Sequence, residues 1–175
     1  MNHKLFKKYC FISELDKEYI KSLDNKITII FRNYDTKYNL EKLKLILSFC
    51  HLLGKKIILA NNPEIALKLK FDGVYIPAFN KKIYYNLLKP KNNFDVLGSA
   101  HNLKEIRLKE KQGVQVIFLS PLFKVLKSEK FLGINRFNNL AKLSQKKIIA
   151  LGGIDYRNFK VLNFINAQGF ASISF

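Results

Sequence analysis

Two consecutive glycines, Gly152 and Gly153, directly follow the apolar run Ile148–Leu151. A backbone without side chains can turn sharply at such a point and bring its amide N–H groups close to a ligand. Phosphate oxygens bind at N–H groups of this kind, because no side chain stands between donor and acceptor. A tight turn uses the same residues. The pair therefore predicts either a phosphate-binding turn or a plain turn.

Eight short apolar runs, separated by helical patterns, recur along the chain. They are continuous and rich in Val, Ile and Phe instead of alternating with polar residues, which is typical of strands buried on both faces of a parallel sheet. The predicted strands are Tyr9–Ser13, Ile27–Phe31, Lys56–Ala60, Gly73–Ile76, Asp95–Gly98, Val114–Ser120, Lys147–Leu151 and Gly169–Ser174.

The segments between these runs carry helical signals. Several are amphipathic, and one begins with Asn-Pro-Glu, a capping residue followed by the proline that is favoured in a first turn. The predicted helical connections are Glu14–Leu23, Asn39–Leu53, Asn62–Leu69, Ala100–Gln112, Asn135–Gln145 and Asn158–Ile165.

Eight strands with seven connections predict an α/β fold, a (β/α)₈ TIM barrel formed as one domain over residues 1–175. A Rossmann-like open sheet is the alternative. The barrel would be compressed, below the usual lower size of about 200 residues, and it would lack the final helix. We expect either the segment Met1–Lys8 or a second copy of the chain, in a homo-oligomer, to cover the apolar face left by that helix.

The net charge of +18 arises mainly from lysine, because only four of the 31 basic residues are arginines. The lysines are spread over the whole chain, whereas nucleic-acid sites usually enrich arginine in a cluster. This pattern favours a bias toward A/T-rich codons and makes nucleic-acid binding an unfavoured interpretation. Attraction of a phosphorylated substrate is compatible with either cause.

Membrane insertion and secretion are not expected. No apolar stretch approaches the roughly 18 residues that a membrane span needs, and the charged N-terminus leads into too short an apolar run for a signal peptide. Cys10 and Cys50 lie in apolar settings without a nearby cysteine partner. We therefore expect two buried thiols in a reducing cytoplasm.

Three segments carry a family resemblance: Gly98–Glu105, Leu119–Phe123 and Ala150–Ile154. In this order and spacing they resemble the thiamine phosphate synthase/TenI family of (β/α)₈ barrels. Asp72–Ile76 and Ala167–Phe175 resemble that family's fourth and eighth strands. The resemblance covers residues 56–175 well and the first fifty residues poorly.

The resemblance implies a condensation. The family's synthases join hydroxymethylpyrimidine diphosphate to thiazole phosphate, form thiamine phosphate and release pyrophosphate, with Mg²⁺ as cofactor. A TenI-like thiazole tautomerase and a non-catalytic protein that binds a phosphorylated ligand are the alternatives. The expected partners are accordingly small phosphorylated heterocycles.

By the same resemblance, Gly152, Gly153, Ile173 and Ser174 are expected to bind the thiazole phosphate. Ser99 is expected to contact the diphosphate, although it could also cap the helix predicted from Ala100. His101 stands where the tautomerase branch places a histidine that moves a proton on the thiazole ring.

The diphosphate side departs from the family pattern. Of the strand-two signature Gln-x-Arg-x-Lys only Arg32 is present, as an expected diphosphate ligand, and Lys127 is the candidate for the family's phosphate-binding lysine. Asn61 and Asn80 occupy the positions of the two Mg²⁺ carboxylates. Because neutral amides hold Mg²⁺ weakly, we assign no metal ligand and expect only substrate-binding roles for these two asparagines.

Overall fold

The computed structural model of the chain describes residues 6–34, 39–84, 93–126, 129–155 and 157–173. Its eight strands are parallel and pair in chain order, and β8 pairs with β1 to close the sheet into a barrel. The predicted barrel is therefore confirmed, and the open sheet was wrong. The strands are β1 Lys7–Ile12, β2 Ile27–Phe31, β3 Ile57–Ala60, β4 Gly73–Ile76, β5 Asp95–Ala100, β6 Val116–Leu119, β7 Lys147–Leu151 and β8 Gly169–Ser172.

Five α-helices and one 3₁₀ helix lie between the strands along the described segments of the chain. None of these helices has the length and apolar character that a bilayer span requires. The predicted helix Asn158–Ile165 is a 3₁₀ helix, Phe159–Phe164. The α-helices are α1 Lys17–Ser22, α2 Leu40–Leu52, α3 Pro63–Leu69, α4 Leu103–Lys111 and α5 Gly133–Leu143.

The outward side chains of β1 and β8 are buried even though no helix follows β8 in the described residues. Cys10 is fully buried, with its Sγ 3.3 Å from the hydroxyl of Tyr19 in α1. Phe170 is also buried, and its ring packs edge to face on Phe159 at 5.0 Å. Helix α1 and the 3₁₀ helix thus cover part of this face.

The predicted cover by Met1–Lys8 needs a correction. Lys7 and Lys8 belong to β1 itself, because they pair with Gly169 and Phe170 of β8. Residues 1–5 lie outside the described part of the chain. A homo-oligomer stays a prediction.

Aromatic rings fill the inside of the barrel. Tyr9 and Tyr75 each pack edge to face on Phe118, with centroid distances of 4.9 and 5.4 Å. Phe11 contacts Tyr75 in the same way at 5.2 Å. Since the centre of an eight-stranded barrel is only wide enough for side chains, these four rings make the interior a packed core.

The aromatic core generates a stability prediction. Phe118→Ala should lower the free energy of unfolding by about 3–5 kcal/mol, because it removes a fully buried ring that contacts the rings of Tyr9, Phe11 and Tyr75. Phe164→Ala, which truncates an exposed ring of the 3₁₀ helix, should change it by about 0.5 kcal/mol or less. Urea unfolding of both variants measures this difference, and equal losses would contradict the aromatic core.

Candidate functional site

A cavity of about 500 Å³ opens at the carboxyl ends of the barrel strands. Its size lies within the range of about 300–1,000 Å³ that is typical of small-ligand sites. Residues from β4, β5 and β7 and from the segments after β2, β4, β5 and β6 form its wall, together with one residue of α4. They are Arg32, Tyr34, Tyr75, Pro77, Ala78, Phe79, Lys81, Ser99, His101, Glu105, Ser120 and Leu151.

The cavity brings together part of the set of residues predicted from the sequence. Those on its wall are Arg32, Ser99 and His101. Those that are not on the wall are Asn61, Asn80, Gly152, Gly153 and Ile173, the last with an exposed side chain. Two predicted residues, Lys127 and Ser174, lie outside the described residues.

Arg32 follows β2 and is fixed from below. Its backbone N–H donates to the carbonyl of Ile12 at 2.8 Å, and its guanidinium carbon lies 4.8 Å from the centre of the Phe11 ring. A cation over an aromatic face is stabilised by the charge distribution of the ring. The barrel core therefore positions a guanidinium group on the wall of the cavity.

Ser99 ties β5 to the segment that follows β4. Its buried Oγ accepts a hydrogen bond from the backbone N–H of Ala78 at 3.0 Å. Burial raises the pKa of Tyr75 to about 12, while a hydrogen bond with Ser99 and the charge of Arg32 act in the opposite direction. Tyr75 therefore stays a neutral phenol at the base of the site near neutral pH.

The predicted cap by Ser99 was wrong, because Ala100 still belongs to β5 and α4 begins at Leu103. Asn102 caps the helix instead, since its Oδ1 accepts from the backbone N–H of Glu105 at 3.0 Å. Glu105 in turn accepts from the backbone N–H of His101 at 2.8 Å. This reciprocal pattern resembles a capping box and fixes the backbone around His101.

The imidazole of His101 has a defined hydrogen-bond partner. Its Nδ1 lies 2.8 Å from the carbonyl oxygen of Ser120 and 3.2 Å from the Oγ of that residue. Because a carbonyl oxygen only accepts, Nδ1 carries the proton and donates, and Nε2 of the neutral ring keeps its lone pair. The geometry thus makes Nε2 the basic nitrogen of a side chain on the cavity wall.

Asn61 and Asn80 lie close together, but they bind each other. The Nδ2 of Asn80 donates to the Oδ1 of Asn61 at 2.8 Å and to the hydroxyl of Tyr84 at 2.9 Å. The Oδ1 of Asn80 accepts from the backbone N–H of Lys82 at 2.9 Å. Each amide oxygen is therefore already engaged with a donor.

This amide pair does not fit Mg²⁺. The ion normally takes one or two carboxylates, and each asparagine oxygen here is neutral and already hydrogen-bonded. Among the described residues, no three side chains of His, Cys, Asp or Glu come together as a metal-binding group. The donor set on this side of the barrel is suited to hydrogen bonding and not to holding a divalent cation.

The glycine pair has a packing role that is visible in the structure. Gly152 and Gly153 have positive φ angles of 94° and 69°. A Cβ on Gly152 would lie 2.7 Å from the Cβ of Pro121, and one on Gly153 would lie 2.6 Å from the carbonyl of Lys124. The carbonyl of Gly152 also accepts from the N–H of Phe123 at 3.0 Å. The segment after β6 thus packs directly on both glycines.

Phosphate binding by the glycine pair stays a prediction. Within the described part of the chain, neither Gly152 nor Gly153 donates its amide N–H to another residue. Leu151, which precedes them, lies on the cavity wall. The two amide donors are therefore next to the cavity, at the end of the barrel where the prediction places a phosphate.

An aromatic pair at the rim of the cavity was missed by the sequence reasoning. The rings of Tyr34 and Phe79 meet edge to face at 5.3 Å, and their side chains are 41% and 61% exposed. The signal was present, because each aromatic residue closely follows a predicted strand and Tyr34 stands where the family signature has lysine. Exposed, rigid rings on a cavity wall are suited to contact a flat heterocycle.

Comparison with known proteins gives a family match and several relatives. The family model TMP-TENI, described as thiamine monophosphate synthase, matches residues 14–175. "Putative thiamine-phosphate synthase 2" of Aquifex aeolicus is 33% identical over 124 residues, which are 69% of this chain and 66% of that protein. The thiamine-phosphate synthase of Limosilactobacillus reuteri is 25% identical over 131 residues, 73% of this chain and 61% of that protein. The matches thus span less than two thirds of these relatives.

Solved structures share the fold. Thiamine phosphate pyrophosphorylase from Pyrococcus furiosus superimposes with a TM-score of 0.73 at 18% identity, over 97% of this chain and 85% of that chain. FabK from Thermotoga maritima reaches the same TM-score of 0.73 at 14% identity, over 95% of this chain and 57% of that chain. Because differently named proteins match equally well, the structural likeness establishes the barrel alone.

The packing on the glycine pair generates a second prediction. Gly153→Ala and Gly113→Ala both place a side chain at a positive φ, 69° and 77°, but only the first meets atoms within 4 Å. Backbone strain alone should cost about 1–2 kcal/mol in Gly113→Ala. Gly153→Ala should cost about 1–3 kcal/mol more because of overpacking. Urea unfolding of the matched pair measures the difference, and equal costs would contradict the close packing after β6.

Proposed function

The chain belongs to the thiamine monophosphate synthase family, and from that premise we propose that it condenses hydroxymethylpyrimidine diphosphate with thiazole phosphate. The observation that carries the proposal is the cavity at the carboxyl ends of the strands, where Arg32, Ser99 and His101 meet. This end of a TIM barrel is where enzymes with the fold place their active sites. The named relatives support the same choice of reaction.

The proposed reaction forms one bond and breaks one. The thiazole nitrogen bonds to the exocyclic methylene carbon of the pyrimidine, the carbon–oxygen bond to the diphosphate breaks, and its electron pair leaves with pyrophosphate. The thiazole becomes a positively charged thiazolium, so no proton, oxidant or reductant is needed. Catalysis then consists of holding two rings in line and stabilising the charge of the leaving group.

The cavity wall offers groups for both tasks. We propose that Arg32 and Lys81 neutralise the diphosphate, with the hydroxyl of Ser99 close to the same group. Tyr34 and Phe79 would contact the flat pyrimidine or thiazole ring. These assignments are supported by the position of all five side chains on one cavity.

The thiazole phosphate is assigned to the neighbouring side of the barrel. We propose that the amide N–H groups of Gly152 and Gly153 bind it, together with Ile173 and Ser174. Lys127 is proposed as a further phosphate ligand. The support is the family resemblance of these residues and, for the glycines, amide groups without an acceptor in the described segments.

The family's cofactor, Mg²⁺, is not assigned to residues of this chain. Asn61 and Asn80 are engaged with each other and lack charge. We therefore propose that cationic side chains and backbone amide groups bind the diphosphate, without a metal ion held by Asn61 and Asn80. Arg32 is the clearest of these groups, because its charge is permanent and its position is fixed.

A thiazole tautomerase is the second candidate, and the hydrogen bond of His101 is what favours it. The donation from Nδ1 to the carbonyl of Ser120 leaves Nε2 with a lone pair on the cavity wall. An imidazole with one ring nitrogen free to accept a proton can act as a general base. In this reaction His101 would move a proton on the thiazole ring, and no diphosphate would be needed.

A turnover assay with both phosphorylated substrates tests the first proposal. The protein should form thiamine phosphate and pyrophosphate, and Arg32→Met should lower kcat/KM about tenfold or more because a charged hydrogen bond is lost. Arg107→Met is the matched control, since Arg107 is exposed and paired with Glu110 on α4. No thiamine phosphate at high enzyme concentration would eliminate the synthase.

The substitution His101→Asn separates the two candidates. Asparagine can keep an N–H near the carbonyl of Ser120 but has no basic nitrogen. A synthase should retain thiamine phosphate formation within about tenfold, because proton transfer of the kind worth about 10²–10⁴ in rate is not required. A tautomerase should lose thiazole isomerisation, which NMR in D₂O can follow. Isomerisation by the unsubstituted protein that His101→Asn abolishes would favour the second candidate.

A further inference from the structure

The side chain of Lys109 in α4 is fully buried, and its ammonium group reaches the segment that follows β4. Its ammonium group donates to the carbonyl oxygens of Pro77 and Asn80 at 2.8 and 2.9 Å and to the Oε1 of Gln112 at 2.7 Å. A lysine ammonium has three N–H donors, and all three are used here. Each of the three acceptors is neutral, so this buried cation is held by hydrogen bonds and not by an ion pair.

Gln112 completes the same network. Its Nε2 donates to the carbonyl oxygens of Asn80 and Lys82 at 2.9 and 2.8 Å. Lys109 and Gln112 together therefore bind three carbonyl groups within residues 77–82, a segment that we call the β4 loop. From the other side, this loop is held by the bond from the Ala78 N–H to Ser99.

Gly98 in β5 leaves space for the side chain of Lys109. A Cβ on Gly98 would come within 2.9 Å of the Cδ of Lys109 and 3.0 Å of the side chain of Val114. The glycine thus leaves room for the lysine stem to reach the loop. Burial lowers the pKa of Lys109 to about 8, because desolvation disfavours the ammonium, while Glu105 opposes the shift.

An ammonium group without a charged partner is costly to bury, and a surface position on α4 would avoid that cost. Most of the compensation comes from the loop, since two of the three acceptors are loop carbonyls and the third is on Gln112, which binds the same loop. Phe79 and Lys81 of this loop lie on the cavity wall. The network therefore connects a buried cation to two side chains of the site.

We propose that Lys109 is a positioning residue that holds the β4 loop from below and thereby fixes Phe79 and Lys81 at the cavity. The buried ammonium binds backbone carbonyls of the loop. It does so next to the Asn61–Asn80 pair, whose amides do not suit a metal ion. This role concerns the order of the loop without substrate, and it holds for a synthase, a tautomerase or a binding protein alike.

A single tryptophan can report on the loop, because the chain contains none. Phe79→Trp places that reporter at an exposed position of the loop. In the F79W background, Lys109→Met keeps the apolar stem and removes all three donors. Without any ligand, the fluorescence anisotropy should fall, and the constant for quenching by acrylamide should rise about twofold as the loop loosens.

Lys55→Met in the F79W background is the matched control. Lys55 is also a buried lysine, and its Nζ donates to the Leu23 carbonyl at 2.6 Å and to Asn25 Oδ1 at 2.9 Å, before the amino ends of β2 and β3. It should leave anisotropy and quenching unchanged. Equal signals in F79W and F79W/K109M, or an equal change in F79W/K55M, would overturn the proposal.

A further variant covers the case in which K109M does not fold. Gln112→Met removes two donors to the loop and keeps the ammonium, so it should change anisotropy and quenching in the same direction by a smaller amount. No change in the folded F79W/Q112M protein would then overturn the network. Because these measurements use no substrate, their outcome is independent of whether the protein forms thiamine phosphate.

Discussion

Pairing between β1 and β8 is the constraint on which the site depends. Lys7 to Cys10 pair with Gly169 to Ser172 in a parallel register, and this contact turns a sheet into a ring. In an open sheet the residue after β2 would be far from the end of β7. In the closed barrel Arg32 and Leu151 line one cavity.

Closure also determines which residues lie beneath the cavity. The interior of a barrel this narrow must be filled, and one of the aromatic rings that fill it, Tyr75, also lies on the cavity wall. Phe11 supports the guanidinium of Arg32, and Tyr75 shares a hydrogen bond with Ser99. Stability and the geometry of the cavity wall are therefore linked at these residues, because the same rings pack the core and contact the polar groups of the wall.

The corner after β3 and β4 is held by neutral groups and one buried cation. Two carboxylates at the positions of Asn61 and Asn80 would repel each other unless a cation lay between them. Two amides can instead donate and accept directly, as they do here at 2.8 Å. Lys109 then binds the backbone from below. The loop that carries Phe79 is thus fixed without a protein-bound metal.

The sequence was sufficient to predict the barrel, because eight apolar runs in a chain of this length leave few other arrangements. It was less informative where tertiary contacts override local pattern. A lysine on an amphipathic helix is normally solvated, so nothing in α4 pointed to the burial of Lys109. Asn61 has a positive φ of 62° and its amide oxygen accepts from Asn80, and spacing alone reveals neither feature. The glycine pair was found, but its packing on the segment after β6 was not foreseen.

Calorimetric titration with hydroxymethylpyrimidine diphosphate, in EDTA and again in Mg²⁺, tests the central claim most directly. If the diphosphate is bound by cationic side chains and by the β4 loop that Lys109 holds in place, it should bind in EDTA. Added Mg²⁺ should then change the Kd by about tenfold or less, a difference of about 1.4 kcal/mol. Binding that is absent in EDTA and appears only with Mg²⁺ would contradict a site that works without a protein-bound metal.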